Sequence, residues 1–249
     1  MSPLAALAVL AAGVVAGTVN TIVGSGSLVS FPTLLAVGYP SVLANVSNTV
    51  GLVPGSVSGA VGYRPELAGQ GRRCLVFGAC SAAGGLTGGL LLLNLPGKVF
   101  ATVVPALILL ACLLIALQPR LKRPAGSGAP TRRRLVAGLA GVYLAGIYGG
   151  YFGAAQGVIL VALLGLVVDD DMQRINALKN VLAATVNGVA AVLFICLTHI
   201  AWQPAGLLAL GSVAGALLGA RIGRRIPDAA LRWTIVVVGT AVAIILFVT

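Results

Sequence analysis

Polar positions along this chain come in short clusters that punctuate long apolar runs. The runs cover Leu4–Val23, Leu28–Val37, Val42–Gly62, Leu75–Leu93, Val99–Leu117, Leu135–Phe152, Val158–Val168, Ile175–Leu197, Pro204–Ala220 and Ala229–Val248. Most approach twenty residues, the length a helix needs to cross roughly 30 Å of hydrocarbon. Leu28–Val37 and Val158–Val168 are too short for that. Each follows a full-length run across a glycine-rich break, Gly24-Ser25-Gly26-Ser27 in one case and Gly153-Ala154-Ala155-Gln156-Gly157 in the other. The pattern predicts an all-α polytopic membrane protein.

The two halves of the chain match. Ala16, Gly17 and Gly24 stand 129 residues before Ala145, Gly146 and Gly153. After a two-residue insertion the offset becomes 131, which pairs Asn45 with Asn176, Val50 with Val181, Ser81 with Ser212, Gly84 with Gly215 and Gly88 with Gly219. A constant offset across consecutive helices predicts duplication, with a first membrane repeat at 1–117, a basic linker at 118–134 and a second repeat at 135–249.

Charge decides how the breaks are threaded. If each broken pair formed one long span, the sixteen Lys and Arg would divide almost evenly between the two sides. If each break is the tip of a hairpin that returns to the side it came from, all but Lys98 fall on one side. The tendency of Lys and Arg to stay cytoplasmic selects the hairpins, with the N-terminus outside and the 118–134 linker inside. The first hairpin then enters from outside and the second from inside, so the repeats are inverted. Each is expected to be a hairpin broken at its tip followed by three transmembrane helices.

Composition narrows the class further. The chain of 249 residues is 59% hydrophobic and 8% charged, which leaves no room for a sizeable water-soluble domain. Its net charge of +11 sits in connections between apolar runs, so nucleic acid is not an expected partner. Cys74, Cys80, Cys112 and Cys196 lack metal-ligand spacing and read as packing residues. Met1–Leu10 lacks the Lys or Arg of a signal peptide's leading region, so cleavage there is not expected. No nucleophile–base pair, phosphate loop or metal cluster emerges, and neither enzyme activity nor a cofactor is predicted.

Two polar stripes carry the candidate chemistry. Asn45, Asn48, Thr49 and Ser56 share one helical face, as do Asn176, Lys179, Asn180 and Asn187 in the second half. Polar side chains facing lipid are costly, so both stripes should face the interior. There they either bind a ligand or hydrogen-bond between helices. Lys179, about five residues or 7 Å into its helix, either lowers the cost of bringing in an anion or snorkels to the inner interface.

At the breaks, glycine lets the backbone turn sharply, and a new helix starting near Ser27 or Gly157 points the positive end of its dipole at the midplane. Ser25, Ser27 and Gln156 add side-chain donors. With Asn20, Thr21, Gly24, Gly26 and Gly153, these residues and the stripes complete the candidate substrate site. Close helix packing is the competing role for the glycines.

Lesser features have plainer readings. Gly211, Gly215, Gly219 and Gly223, and Gly84 with Gly88, read as close-packing surfaces. His199, Trp202 and Trp233 read as interfacial, and Asp169, Asp170 and Asp171 as a helix-starting turn. Tyr148 and Tyr151 fit either substrate contact or packing.

The segments AGTVNTIVGSGSLVSFPTLLAVGYPSVLANVSNTVG and GIYGGYFGAAQGVILVALLGLVVDDDMQRINALKNVLAATVNGVAAVLF resemble the two signature regions of the sulfite exporter TauE/SafE family of membrane permeases. The resemblance covers nearly the whole chain. It implies transport of small sulfur-containing anions such as sulfite, sulfoacetate or other organosulfonates, usually out of the bacterial cytoplasm, from the inner membrane. Where the family often carries three consecutive glycines, this chain reads Gly-Ser-Gly-Ser and Gly-Ala-Ala-Gln-Gly, which weakens the inference to a particular substrate. Alternating access around the hairpin tips is the expected mechanism, with a homo-oligomer compatible. An anion channel or passive pore, an importer of a sulfur oxyanion and a structural membrane protein are the rival readings.

Overall fold

A computed structural model describes residues 1–121, 132–222 and residue 240. The predicted segment Ala229–Val248, the connection at 122–131, Gly223 and Trp233 lie outside the described residues. The helices are α1 (Pro3–Ile22), α2 (Ser27–Ala36), α3 (Ser41–Gly62), α4 (Gly71–Asn94), α5 (Gly97–Leu121), α6 (Arg132–Tyr151), α7 (Gln156–Val167), α8 (Met172–Leu197) and α9 (Trp202–Ile222), with a 3-10 turn at Arg64–Leu67. Among the described residues there is no strand.

Local chemistry sets the boundaries. Ser2 accepts from the Ala5 N–H and Pro3 follows it, which starts α1. Asp171 accepts from the N–H groups of Gln173 and Arg174, starting α8 three residues before the expected Ile175. Lys179 is therefore the eighth residue of its helix, deeper than its apolar run suggested. Stretches in α1, α4, α5, α8 and α9 are long and apolar enough to cross a membrane. At 10 and 12 residues, α2 and α7 extend only ~15 and ~18 Å, about half of the hydrocarbon thickness.

Glycine contacts fix the helix directions. Gly211, Gly215 and Gly219 of α9 meet Leu10, Val14 and Thr18 of α1 in the same order, so the two run parallel. Gly84 and Gly88 of α4 meet Tyr143 and Ile147 of α6, again parallel. In each case a Cβ would collide with the neighbouring backbone, which accounts for the expected close-packing surfaces. Thr18 reinforces one seam by donating to the Gly215 carbonyl at 2.9 Å.

In the same way α3 runs with α9, through Gly51 at Leu208 and Gly55 at Ser212, and α4 runs with α8, through Gly85 at Val186 and Gly89 at Leu193. Between these groups α3 and α8 cross antiparallel. Gln70, just beyond α3, donates to the Arg174 carbonyl near the start of α8, while Ser47 near the start of α3 accepts from the Ala201 N–H beyond the end of α8. Arg64, Arg72, Arg73, Arg132, Arg133, Arg134, Arg174 and Arg221 consequently gather at one end of the bundle, and Pro3, Lys98 and Trp202 at the other.

That basic end is clamped. Asp170 pairs with Arg73 at 2.6 Å and with Arg174 at 2.7 Å, and Arg174 also donates to the Ala68 carbonyl at 3.0 Å. The acidic triplet is thus a helix cap plus an ion-pair bridge. Among the described residues no cluster of His, Cys, Asp or Glu could hold a metal.

Candidate substrate site at two broken helices

The two breaks are built alike. In the first, the Val19 carbonyl accepts from both Val23 and Gly24, and Gly24 takes φ of 84°. In the second, the Tyr148 carbonyl accepts from both Phe152 and Gly153, and Gly153 takes φ of 79°. This left-handed conformation ends a helix at no steric cost only in glycine. Ala155 repeats it at φ of 58°, without that freedom.

The tips touch backbone to backbone. The Gly157 N–H donates to the Gly24 carbonyl at 3.0 Å, and a Cβ on either residue would collide with the Cα of the other. Gly157, placed in the candidate site by its position at the start of the second short helix, thus spends its N–H on joining the two hairpins.

Ending α1 in the protein interior leaves carbonyls that must find donors. Three side chains of α8 supply them. Lys179 Nζ donates to the carbonyls of Asn20 at 3.0 Å and Thr21 at 3.2 Å, Asn180 donates to Thr21 at 3.2 Å, and Asn176 donates to Thr21 at 3.5 Å. Lys179 has no exposed surface, so the snorkelling placement is excluded. A cation at a helix C-terminus also meets the negative end of the dipole.

The second tip uses a related device. Asn45, 131 positions before Asn176, donates to the Tyr151 carbonyl at 3.0 Å, and the Tyr148 hydroxyl donates to the Ala154 carbonyl at 2.6 Å. Asn48, 131 positions before Lys179, donates to Ser27 Oγ at 3.3 Å. Asn20 and Asn187 both donate to Ser56 Oγ, at 3.3 and 3.1 Å. The Thr49 hydroxyl bonds back to the Asn45 carbonyl of its own helix, as the Ser56 hydroxyl does to the Leu52 carbonyl.

The predicted residues therefore converge on one region: Gly24 through Ser27 and Gly153 through Gly157 form the tips, while Asn45, Asn48, Asn176, Lys179 and Asn180 brace them. Asn20, Ser56 and Asn187 join α1, α3 and α8 beside them. Four buried polar atoms here have no hydrogen-bond partner among the described residues: Ser25 Oγ, Asn45 Oδ1, Asn48 Oδ1 and Gln156 Nε2. Such atoms cost roughly 1–3 kcal/mol each unless something fills their valence, which makes the place a candidate for ligand contact.

An aromatic brace beside the tips went unread in the sequence. Phe31 meets Phe152 edge-on at 5.3 Å, and Phe100 contacts both Phe152 and Tyr151 at 6.0 and 5.6 Å. Phe31 and Phe152 flank the two breaks closely, the one signal that would have found them. Tyr148 and Tyr151 are accounted for by capping and packing. His199 and Trp202 are exposed at the end away from the Arg clusters, as interfacial residues would be.

Apolar helices of membrane length around a polar interior built from interrupted helices define a membrane transporter. The family model described as Sulfite exporter TauE/SafE matches residues 9–246, and the chain belongs to that family. It is 26% identical over 227 residues to the probable membrane transporter protein YfcA of Escherichia coli strain K12, covering 89% of this chain and 82% of the relative. It is 28% identical over 218 residues to a probable membrane transporter protein of Haemophilus influenzae, covering 84% and 82%. A third relative, the probable membrane transporter protein ORF9 of a Sinorhizobium species, is 26% identical over 233 residues, covering 94% and 88%.

Proposed function

We propose that the chain is a secondary transporter that exports small sulfur-containing anions, such as sulfite, sulfoacetate or other organosulfonates, across the bacterial inner membrane. The observation that carries this reading is the meeting of two hairpin tips around buried polar atoms that have no partner among the described residues, with the cationic side chain of Lys179 alongside. Ser25 Oγ and Gln156 Nε2 are donors suited to sulfonate or sulfite oxygens. The family's printed description as a sulfite exporter supports the substrate class.

In this reading the halves 1–117 and 135–249 are inverted repeats joined by a cytoplasmic linker, with the N-terminus outside. The antiparallel entry of α1 and α6 and the exchange of contacts between halves support it: α1 packs on α9 as α6 packs on α4. The basic end faces the cytoplasm. Outward movement of one negative charge from a cell with a negative interior gains about 2.3 kcal/mol per 100 mV, so export runs without a coupling ion. Alternating access exposes the tips first to one side and then to the other.

Purified protein in liposomes, loaded with sulfite or sulfoacetate and given an imposed potential, tests this. Saturable efflux with competition between the anions is expected. Ohmic current would make the protein a channel, movement only inward would make it an importer, and no flux would remove the reading.

A further inference from the structure

The C-terminal end of α1 is an arrangement that usually calls for a cation. Consecutive carbonyls of Asn20 and Thr21 point at one spot, at the negative end of a helix that stops in the membrane interior. In transporters with interrupted helices, carbonyls of this kind commonly coordinate a sodium ion or a proton carrier. Here the spot is filled by Lys179 Nζ, 3.0 and 3.2 Å from the two oxygens, with the side chains of Asn176 and Asn180 directed at the Thr21 carbonyl beside it.

The lysine reaches that spot over the tip contact. A Cβ on Gly157 would lie 3.0 Å from Lys179 Cδ, so the glycine that lets the hairpins touch also leaves passage for the lysine stem. Lys179 is fully buried and belongs to α8, in the other half of the chain from the carbonyls it bridges. Asn48, 131 positions before it, makes no equivalent contact, donating instead to Ser27 Oγ. The ammonium group therefore sits on the carbonyls of the first break.

We infer that Lys179 is a tethered cation standing where a monovalent metal ion would otherwise bind, so that the carbonyls of Asn20 and Thr21 are a sodium- or potassium-type site made permanent by an ammonium group. It follows that wild-type protein is indifferent to the monovalent cation supplied. Removing the ammonium uncovers the site, which then accepts a soluble cation from solution. The inference holds whichever anion is carried.

The test needs no substrate. Thermal unfolding of the purified full chain in detergent is followed in sodium, potassium, methylammonium and choline gluconate at equal ionic strength. Wild type should unfold at one temperature in all four. Lys179→Ala should unfold several degrees lower in choline and regain much of the loss in sodium, potassium or methylammonium, saturating with concentration. Lys179→Gln, which retains length and a donor but no charge, gives the same comparison if the alanine variant does not fold in choline. Absence of cation-specific recovery in both variants, or a sodium or potassium requirement in wild type, would overturn the inference. A failure of sulfite flux with intact cation recovery would sink only the substrate reading.

Discussion

Asn187 on α8 donates to Ser56 on α3 at 3.1 Å, and the two residues stand 131 positions apart, the interval that aligns the second half of the chain with the first. Two positions matched by that interval are thus brought into direct contact between α3 and α8. Ser56 also accepts from Asn20, so α1, α3 and α8 meet at one hydroxyl. Asn187→Ala should lower stability by about 0.6 kcal/mol and at most about 1.7 kcal/mol, the range for hydrogen bonds between membrane helices. A double-mutant cycle with Ser56→Ala, followed by unfolding in micelles, should return a coupling of that size. Strict additivity would mean the contact contributes nothing.

Gly24→Ala and Gly38→Ala separate two costs of losing a glycine. Both residues hold positive φ, 84° and 98°. A Cβ at Gly38 meets nothing within 4 Å, whereas one at Gly24 strikes the backbone of Gly157. Gly38→Ala should cost about 1–2 kcal/mol, the strain term alone, and leave transport intact. Gly24→Ala should add the collision and abolish transport, with poor recovery of folded protein. Equal behaviour of the two variants would refute the tip contact.

Ser25 Oγ is buried and has no hydrogen-bond partner among the described residues, so removing it should not destabilise the protein. Ser25→Ala is therefore expected to unfold at the wild-type temperature or slightly above, while its apparent affinity for the proposed anionic substrate falls severalfold. Measuring both on one preparation checks this. A loss of stability with unchanged affinity would assign the hydroxyl a structural job.

Asp170 gives the chain an acid-sensitive clamp at its basic end. Burial pushes its carboxyl up, but hydrogen bonds from Arg174, Arg73 and the Asp171 N–H, with the Arg174 charge, hold it below its ordinary value of 3.8. A depressed folded-state value contributes stability that is present above the unfolded value and lost as pH falls through the folded one. The contribution, no more than about 1 kcal/mol for partly exposed ion pairs, should therefore be constant near neutrality and vanish only below pH ~4. Asp170→Asn should remove it at neutral pH, and unfolding midpoints of the two proteins should converge as the buffer is acidified. Convergence already near neutral pH would contradict the direction of the shift.

Much of this was legible in the chain because glycine and charge announce themselves locally. The breaks at Gly24 and Gly153 fall where the sequence put them, since a residue that must adopt positive φ is nearly always glycine. The polar stripes on α3 and α8 were legible for a similar reason, as periodicity shows which positions share a face. What those stripes touch was not. Lys179 finds its carbonyls 158 and 159 positions away, and no local pattern encodes that distance. The start of α8 was misplaced because polar Gln173 and Arg174 interrupt the apolar run and hid a helix that Asp171 had already begun at Met172. The use of the Gly157 N–H and the Phe31, Phe100 and Phe152 cluster likewise depend on segments that meet only after folding.

The glycine seams carry a consequence for biosynthesis. A ribosome that has released residues 1–121 has delivered α1 without α9 and α4 without α6, two small-residue faces with nothing yet made to cover them. Neither can close until the rest of the polypeptide has entered the bilayer. Maturation of this protein is thus a late event, completed by interlocking rather than by two units finishing in turn, and a chain cut at its midpoint would yield fragments that need each other from the outset.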